Sequence, residues 1–170
     1  TIMGYAGITN QDAANNSIDI FHQTTIEQIQ NNLATRLCPI TTSLTGTNAT
    51  PVVAPFQNFT IPRSTPFVLT GSATDANVND ALTYCWEQND TAINATGEKS
   101  IAFSTKTDGP LFRSFPPTKL PNRFMPEQNK VIANVLNSTW ESVSDISRTL
   151  HFTLTVRDNG LNGFANTNTD

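Results

Sequence analysis

The chain has 170 residues and a formal net charge of −4 at pH 7, and 14% of its residues are charged. This length supports one sizeable domain, with or without an appendage. We expect no nucleic-acid binding and no membrane span, because the sequence contains neither a strong Lys/Arg cluster nor a long apolar run. The polar but weakly charged composition favours a β-rich extracellular protein.

A helical pattern occurs near the start of the chain, within residues 11–36. Its apolar residues recur at three- and four-residue spacing and form one stripe: Ile26, Ile29, Leu33 and Leu37. We therefore predict a short helix near residues 25–36. We expect it to dock on other structure, because so short a helix is marginal alone. Residues 38–54 are rich in Thr, Gly and Pro and are predicted to form a linker.

From residue 55 onward the apolar pattern changes to period two, which is typical of half-buried strands. Three segments show this pattern, and each is followed by turn-forming residues: TPFVLTGSATD, ALTYCWEQ and RTLHFTLTVRDNG. Several such strands joined by polar turns predict an antiparallel β-sandwich over residues 55–170. The predicted fold class is therefore mainly β, with a short N-terminal helical segment.

A long insertion, at about residues 91–148, interrupts the predicted sandwich. Its prolines exclude a helix and a central strand between residues 110 and 126. Basic and aromatic residues are interleaved there, and four of them could bind an anionic glycan or peptide: Phe112, Arg113, Phe115 and Arg123. In the alternative interpretation, the phenylalanines anchor the insertion to the sandwich while the basic side chains remain in solvent.

The turn that follows the first strand is rich in oxygen-bearing side chains. Four of them are candidate calcium ligands: Asp75, Asn77, Asn79 and Asp80. Glu87 or Asp158 could join them from neighbouring strand ends. Because two of the four are amides, the charge is low and the predicted affinity is weak. The alternative interpretation is an Asx-rich turn that binds no ion.

The two cysteines, Cys38 and Cys85, permit one disulfide. Strand alternation places Cys85 on the face opposite Trp86, which argues against a disulfide in the sandwich core. The linker that begins at Cys38 could instead cover the outer face of the sheet and bridge to Cys85. The alternatives are pairing with cysteines outside this chain, or two free thiols.

The first seven residues, TIMGYAG, resemble the Met-turn of the metzincin zinc peptidases, with Met3 and Tyr5 at its two characteristic positions. The following SIDIFHQTTIEQIQNNL looks like the stretch after the Met-turn in reprolysin-like secreted bacterial peptidases. The resemblance implies that residues 1–37 are the tail of a metallopeptidase catalytic domain. In that family the Met lies beneath the zinc site.

The segment IPRSTPFVLTGSATDANVNDALTYCWEQ, together with LHFTLTVRDNG, resembles an Ig-like module of the PKD or cadherin-like kind. Such modules commonly follow secreted bacterial peptidases. The resemblance implies that residues 55–170 form this module. The polar LNGFANTNTD after Gly160 is unlike a normal closing strand, which leaves two alternatives: the last strand is missing, or it continues in a longer parent protein.

The zinc-binding motif H-E-x-x-H-x-x-G-x-x-H is absent from this chain, which contains only His22 and His151. We therefore expect the chain alone to be inactive. In this interpretation it is the non-catalytic C-terminal portion of a secreted zinc metalloendopeptidase. Its partners are then the N-terminal catalytic portion, which holds the zinc, and extracellular protein substrates. The alternative is an extracellular adhesion or glycan- or protein-binding module with no connection to peptidases.

Overall fold

A computed structural model of the chain describes residues 6–7, 10–44, 46–160 and 167–169. Helix α1 spans Gln23–Ala34, close to the predicted bounds. Its N-terminus is capped by His22, whose Nδ1 accepts a hydrogen bond from the Thr24 amide at 3.2 Å. No residue of α1 is buried. The predicted apolar stripe is therefore largely exposed, and the helix does not use it to dock.

The described part of the chain contains nine short strands. They are β1 Val52–Val53, β2 Phe67–Thr70, β3 Ala73–Thr74, β4 Thr83–Gln88, β5 Asn122–Met125, β6 Asn137–Ser138, β7 Glu141–Ser142, β8 Phe152–Arg157 and β9 Thr167–Thr169. All pairings are antiparallel: β1 with β3, β2 with β5, β6 with β7, and β8 with both β4 and β9. The predicted mainly β, antiparallel character is thus confirmed.

The longest strand pair, β4 with β8, carries the centre of the core. Trp86 lies opposite Leu154, and Tyr84 lies opposite Val156. Inward side chains of β2 and β5 pack in the same cluster. Its fully buried members are Trp86, Leu111, Phe112, Met125, Leu154 and Val156. The period-two pattern therefore identified the core face of both long strands correctly.

The period-two pattern is typical of half-buried strands, but the face of β4 opposite Trp86 is buried as well. Cys85 and Glu87 lie on that face and are only 3% and 0% exposed. The long insertion covers this face, and its Ser114 hydroxyl donates a hydrogen bond to Glu87 Oε1 at 2.9 Å. The start of α1 covers the same carboxylate, since the Gln23 amide donates to Glu87 Oε2 at 2.9 Å. The predicted docking of α1 is thus made by polar contacts at its N-terminus.

The predicted insertion contains several short helices and strands. Strand β5 lies between Pro121 and Pro126 and pairs with β2, so the prolines bound the strand without preventing it. Helix α2 spans Gln128–Ile132 and is followed by the β6–β7 hairpin. Gly97–Ser100 form a short 3₁₀ helix. The insertion therefore contributes strands and core residues to the domain.

Two predicted boundaries need correction. Strand β1 falls inside the predicted linker and pairs with β3, so the domain begins before residue 55. Residues 167–169 form β9, which pairs with β8, although this segment was judged too polar for a normal closing strand. Their polar sequence concealed this strand, because backbone hydrogen bonds at a sheet edge need no apolar side chains.

Candidate functional site

The most concentrated group of metal-ligating side chains lies where two strand ends meet. The turn at residues 75–80 connects β3 to β4, and Asp158 directly follows β8. Because Thr83 at the start of β4 pairs with Arg157 at the end of β8, the turn lies beside Asp158. Strand register alone therefore brings together carboxylates that are about eighty positions apart in the chain.

Carboxylate oxygens of Asp75, Asp80 and Asp158 lie within 4.8 Å of one another. Among the described residues, this is the one group of at least three Asp, Glu, His or Cys side chains close enough to share a metal ion. Asp158 is fully buried, while Asp75 and Asp80 are half-buried. Carboxylate oxygens are ligands of the type that calcium prefers. We refer to these three residues as the acidic cluster.

Backbone amides fix the orientation of the cluster. The Asn77 amide donates to Asp75 Oδ1 at 2.7 Å, and the Gly160 amide donates to Asp158 Oδ1 at 3.2 Å. The side chain of Asn48 adds a third bond, because its Nδ2 donates to Asp158 Oδ2 at 2.7 Å. These bonds hold the carboxylates of Asp75 and Asp158 in place.

Two further oxygens of the cluster are buried and receive no hydrogen bond from the described part of the chain, namely Asp75 Oδ2 and Asp80 Oδ2. A buried acceptor that lacks a donor costs free energy, and more so when it is charged. Burial raises the pKa of Asp80, and the neighbouring charges of Asp158 and Asp75 raise it further. A divalent cation would remove both penalties, because it would coordinate the oxygens and offset the crowded negative charge.

The structure separates the sequence-predicted calcium ligands into two groups. Asp75 and Asp80 join the cluster, and so does Asp158, which was considered as a contributor from a strand end. Asn77 Oδ1 accepts a hydrogen bond from the Ala49 amide at 2.6 Å, and Asn79 is exposed. Glu87 contacts α1 and the long insertion instead. The cluster therefore has three carboxylates, where the sequence-based set had two carboxylates and two amides.

The predicted disulfide between Cys38 and Cys85 is not formed, and both residues are free thiols. Cys38 is exposed, whereas the Cys85 thiol is buried and donates to the Phe115 carbonyl oxygen at 3.3 Å. Burial, together with the nearby charge of Glu87, raises the pKa of Cys85 to about 12. The long insertion occupies the sheet face that the linker was expected to cover.

The four residues of the predicted anionic-ligand surface mostly contact other parts of the protein. Phe112 is 3% exposed and belongs to the core. The guanidinium of Arg123 donates to the carbonyl oxygens of Trp86 and Arg113 and pairs with Glu141 at 3.2 Å. The Phe115 ring lies between Arg113 and Arg123, at 5.0 and 4.6 Å from their guanidinium carbons. Anchoring of the insertion explains this arrangement, although the Arg123 side chain is only 11% exposed where solvent exposure was expected.

The two histidines occupy separate structural positions. His22 caps α1, and its Nε2 lies 3.9 Å from Glu87 Oε1. His151 is 68% exposed and its Nδ1 lies 2.7 Å from Asp90 Oδ1. Met3 and Tyr5, the residues that carry the Met-turn resemblance, lie outside the described residues.

Comparisons with protein-family models, with curated proteins and with solved structures found no match for this chain. Among the described residues, no helix has the length and apolar character needed to cross a membrane. The acidic cluster is therefore the feature from which a function can be argued.

Proposed function

We propose that this chain is a non-catalytic, calcium-binding extracellular module with an Ig-like β-sandwich fold. The observation that carries the proposal is the acidic cluster, in which Asp75 and Asp80 each hold a buried oxygen that receives no hydrogen bond from the described part of the chain. Calcium is the favoured ion because all three ligands are carboxylates on turns, where hard oxygen donors can adjust to its larger and more flexible coordination shell.

The sandwich architecture is supported by the shared core. Side chains of β2 and β5 pack in the same cluster as Trp86 of β4 and Leu154 of β8. Phe67 of β2 contacts both Phe112 and Phe152, each with ring centroids 5.7 Å apart. Two strand pairs that bury their faces against each other are the basic unit of an Ig-like sandwich.

The module is proposed to belong to a secreted zinc metalloendopeptidase, as the resemblance of its first 37 residues implies. The catalytic portion would hold the zinc and act on extracellular proteins, and the module would add stability or substrate contact. Within the described part of this chain, neither histidine lies in a group of three metal-ligating side chains. The zinc chemistry is therefore assigned to the catalytic portion alone.

Isothermal titration of calcium into the full chain, first stripped with EGTA, tests the cation site. We expect binding at one site, together with a higher midpoint of thermal unfolding. The Asp75→Asn variant should lose about tenfold or more in affinity, because it removes one charged ligand. Asp19→Asn is the matched control, since Asp19 is exposed and lies outside the cluster. Equal affinities of the two variants would contradict the site.

The peptidase connection requires a separate experiment. The gene that encodes this chain should encode H-E-x-x-H-x-x-G-x-x-H shortly upstream of residue 1, and the purified chain with added zinc should not cleave casein. If the motif were absent there, the peptidase proposal would fail while the calcium site would remain unaffected.

A further inference from the structure

The long insertion contains a buried lysine, Lys106. Lys106 is 0% exposed, yet its ammonium group must remain hydrogen-bonded. Its Nζ donates to three backbone carbonyl oxygens, at 2.8 Å to Ser100, 3.2 Å to Ile101 and 3.0 Å to Pro110. An ammonium group has three hydrogens, so these carbonyls satisfy it completely. We refer to these three carbonyls as the carbonyl cage.

The cage exists because this part of the chain has little regular secondary structure. Apart from the 3₁₀ helix Gly97–Ser100, residues 97–110 form neither helix nor strand. Their carbonyl groups therefore lack the partners that a ladder would provide, and buried carbonyls require donors. The Arg148 guanidinium provides two further donors. It donates to the Lys106 carbonyl oxygen at 2.9 Å and to the Gly109 carbonyl oxygen at 2.8 Å.

No carboxylate accepts a hydrogen bond from Lys106 Nζ in the described contacts. The nearby Asp108 instead accepts from the amides of Asn94 and Ala95, at 2.8 and 3.0 Å. The ammonium is thus held by neutral dipoles, in the way that ring-like sets of backbone carbonyls hold a small monovalent cation. A divalent ion is disfavoured there, because the cage carries no negative charge and Arg148 adds positive charge.

We infer that Lys106 acts as a built-in cation that fills a monovalent-cation site, and that this site orders residues 97–110. The acidic cluster and the carbonyl cage then differ in how they obtain their cation. The cluster depends on an ion from solution, whereas the cage takes its charge from the chain itself. The three carbonyls of the cage accordingly need no cation from the medium.

The inference predicts chemical rescue of Lys106→Ala. This substitution removes three carbons and the amine, which together correspond to n-propylammonium. We expect Lys106→Ala to unfold at a lower urea concentration than the wild-type chain. At about ten times its dissociation constant, n-propylammonium should raise the ratio of folded to unfolded protein about tenfold. Tetramethylammonium at equal ionic strength has no N–H donors and should give no rescue.

Lys106→Met provides the second test, because methionine retains most of the side-chain volume but has no charge. Amide hydrogen exchange between residues 97 and 110 should accelerate about tenfold or more in this variant, while the amides of β4 and β8 remain protected. Lys99→Ala is the matched control, since Lys99 is exposed in the same segment. If Lys106→Met exchanged like the wild-type chain, or if both ammonium ions affected Lys106→Ala equally, Lys106 would act through packing alone and the inference would be wrong.

Discussion

Gly71→Ala is expected to destabilise the protein through one specific overlap. A methyl group at this position would collide with Leu154 Cδ2 and would lie 3.2 Å from ring carbons of both Phe56 and Trp86. Leu154 is 0% exposed, so its side chain has little room to move. Overpacking of this kind costs about 1–3 kcal/mol. The absence of a side chain at Gly71 therefore allows the loop between β2 and β3 to approach β8 closely.

Urea denaturation measures this cost. With a slope of about 2 kcal/mol/M, a loss of about 2 kcal/mol shifts the unfolding midpoint by about 1 M. Leu154→Ala alone should cost about 2–5 kcal/mol, because it leaves a cavity. In the double variant the new methyl enters that cavity, so the combined loss should fall short of the sum by about 1 kcal/mol or more. Strict additivity, or an unchanged midpoint for Gly71→Ala, would refute this account of the contact.

Three further predictions concern the buried polar groups. Asp80→Asn should stabilise the calcium-free protein by removing a crowded charge, yet abolish most of the stabilisation by calcium. Relative to the wild-type chain, the midpoint of thermal unfolding should therefore rise in EGTA and fall in calcium. At pH 8 the folded chain should expose one thiol to Ellman's reagent, Cys38, and release Cys85 only on unfolding. Because the pKa of Cys85 rises from 9.0 to about 12, its contribution to stability should persist below pH 9 and be lost between pH 9 and 12. Glu87→Ala should lower the free energy of unfolding by about 1–3 kcal/mol, because the Gln23 amide and the Ser114 hydroxyl lose their acceptor. Amide hydrogen exchange at the start of α1 should become faster, and unchanged exchange there would contradict the proposed docking of α1.

Local patterns in the sequence were sufficient to identify the main elements. Three- and four-residue spacing identified α1, and alternation identified β4 and β8 together with the face that Trp86 and Leu154 turn toward the core. These predictions succeed because periodicity records which side of an element is apolar. The same signal does not specify what covers the other side.

Contacts between distant parts of the chain were decided by the tertiary structure. The stripe of α1 predicted an apolar docking face, yet the helix is held through Glu87 at its N-terminus. Alternation placed Cys85 on the face opposite Trp86, which the linker could cover, yet the insertion covers it. A strand face that contacts a polar covering segment carries polar residues, as does a strand face in solvent. Because the two faces show the same alternation, the sequence could not distinguish them.

The acidic cluster shows both contributions. The sequence by itself placed Asp75 and Asp80 on one turn and provided their carboxylates. The pairing of Thr83 with Arg157 decided that Asp158 would join them. Chain order determines which ligands are available locally, whereas strand register and burial determine which of them share one site, since both depend on hydrogen bonds and packing between segments that are far apart in the chain.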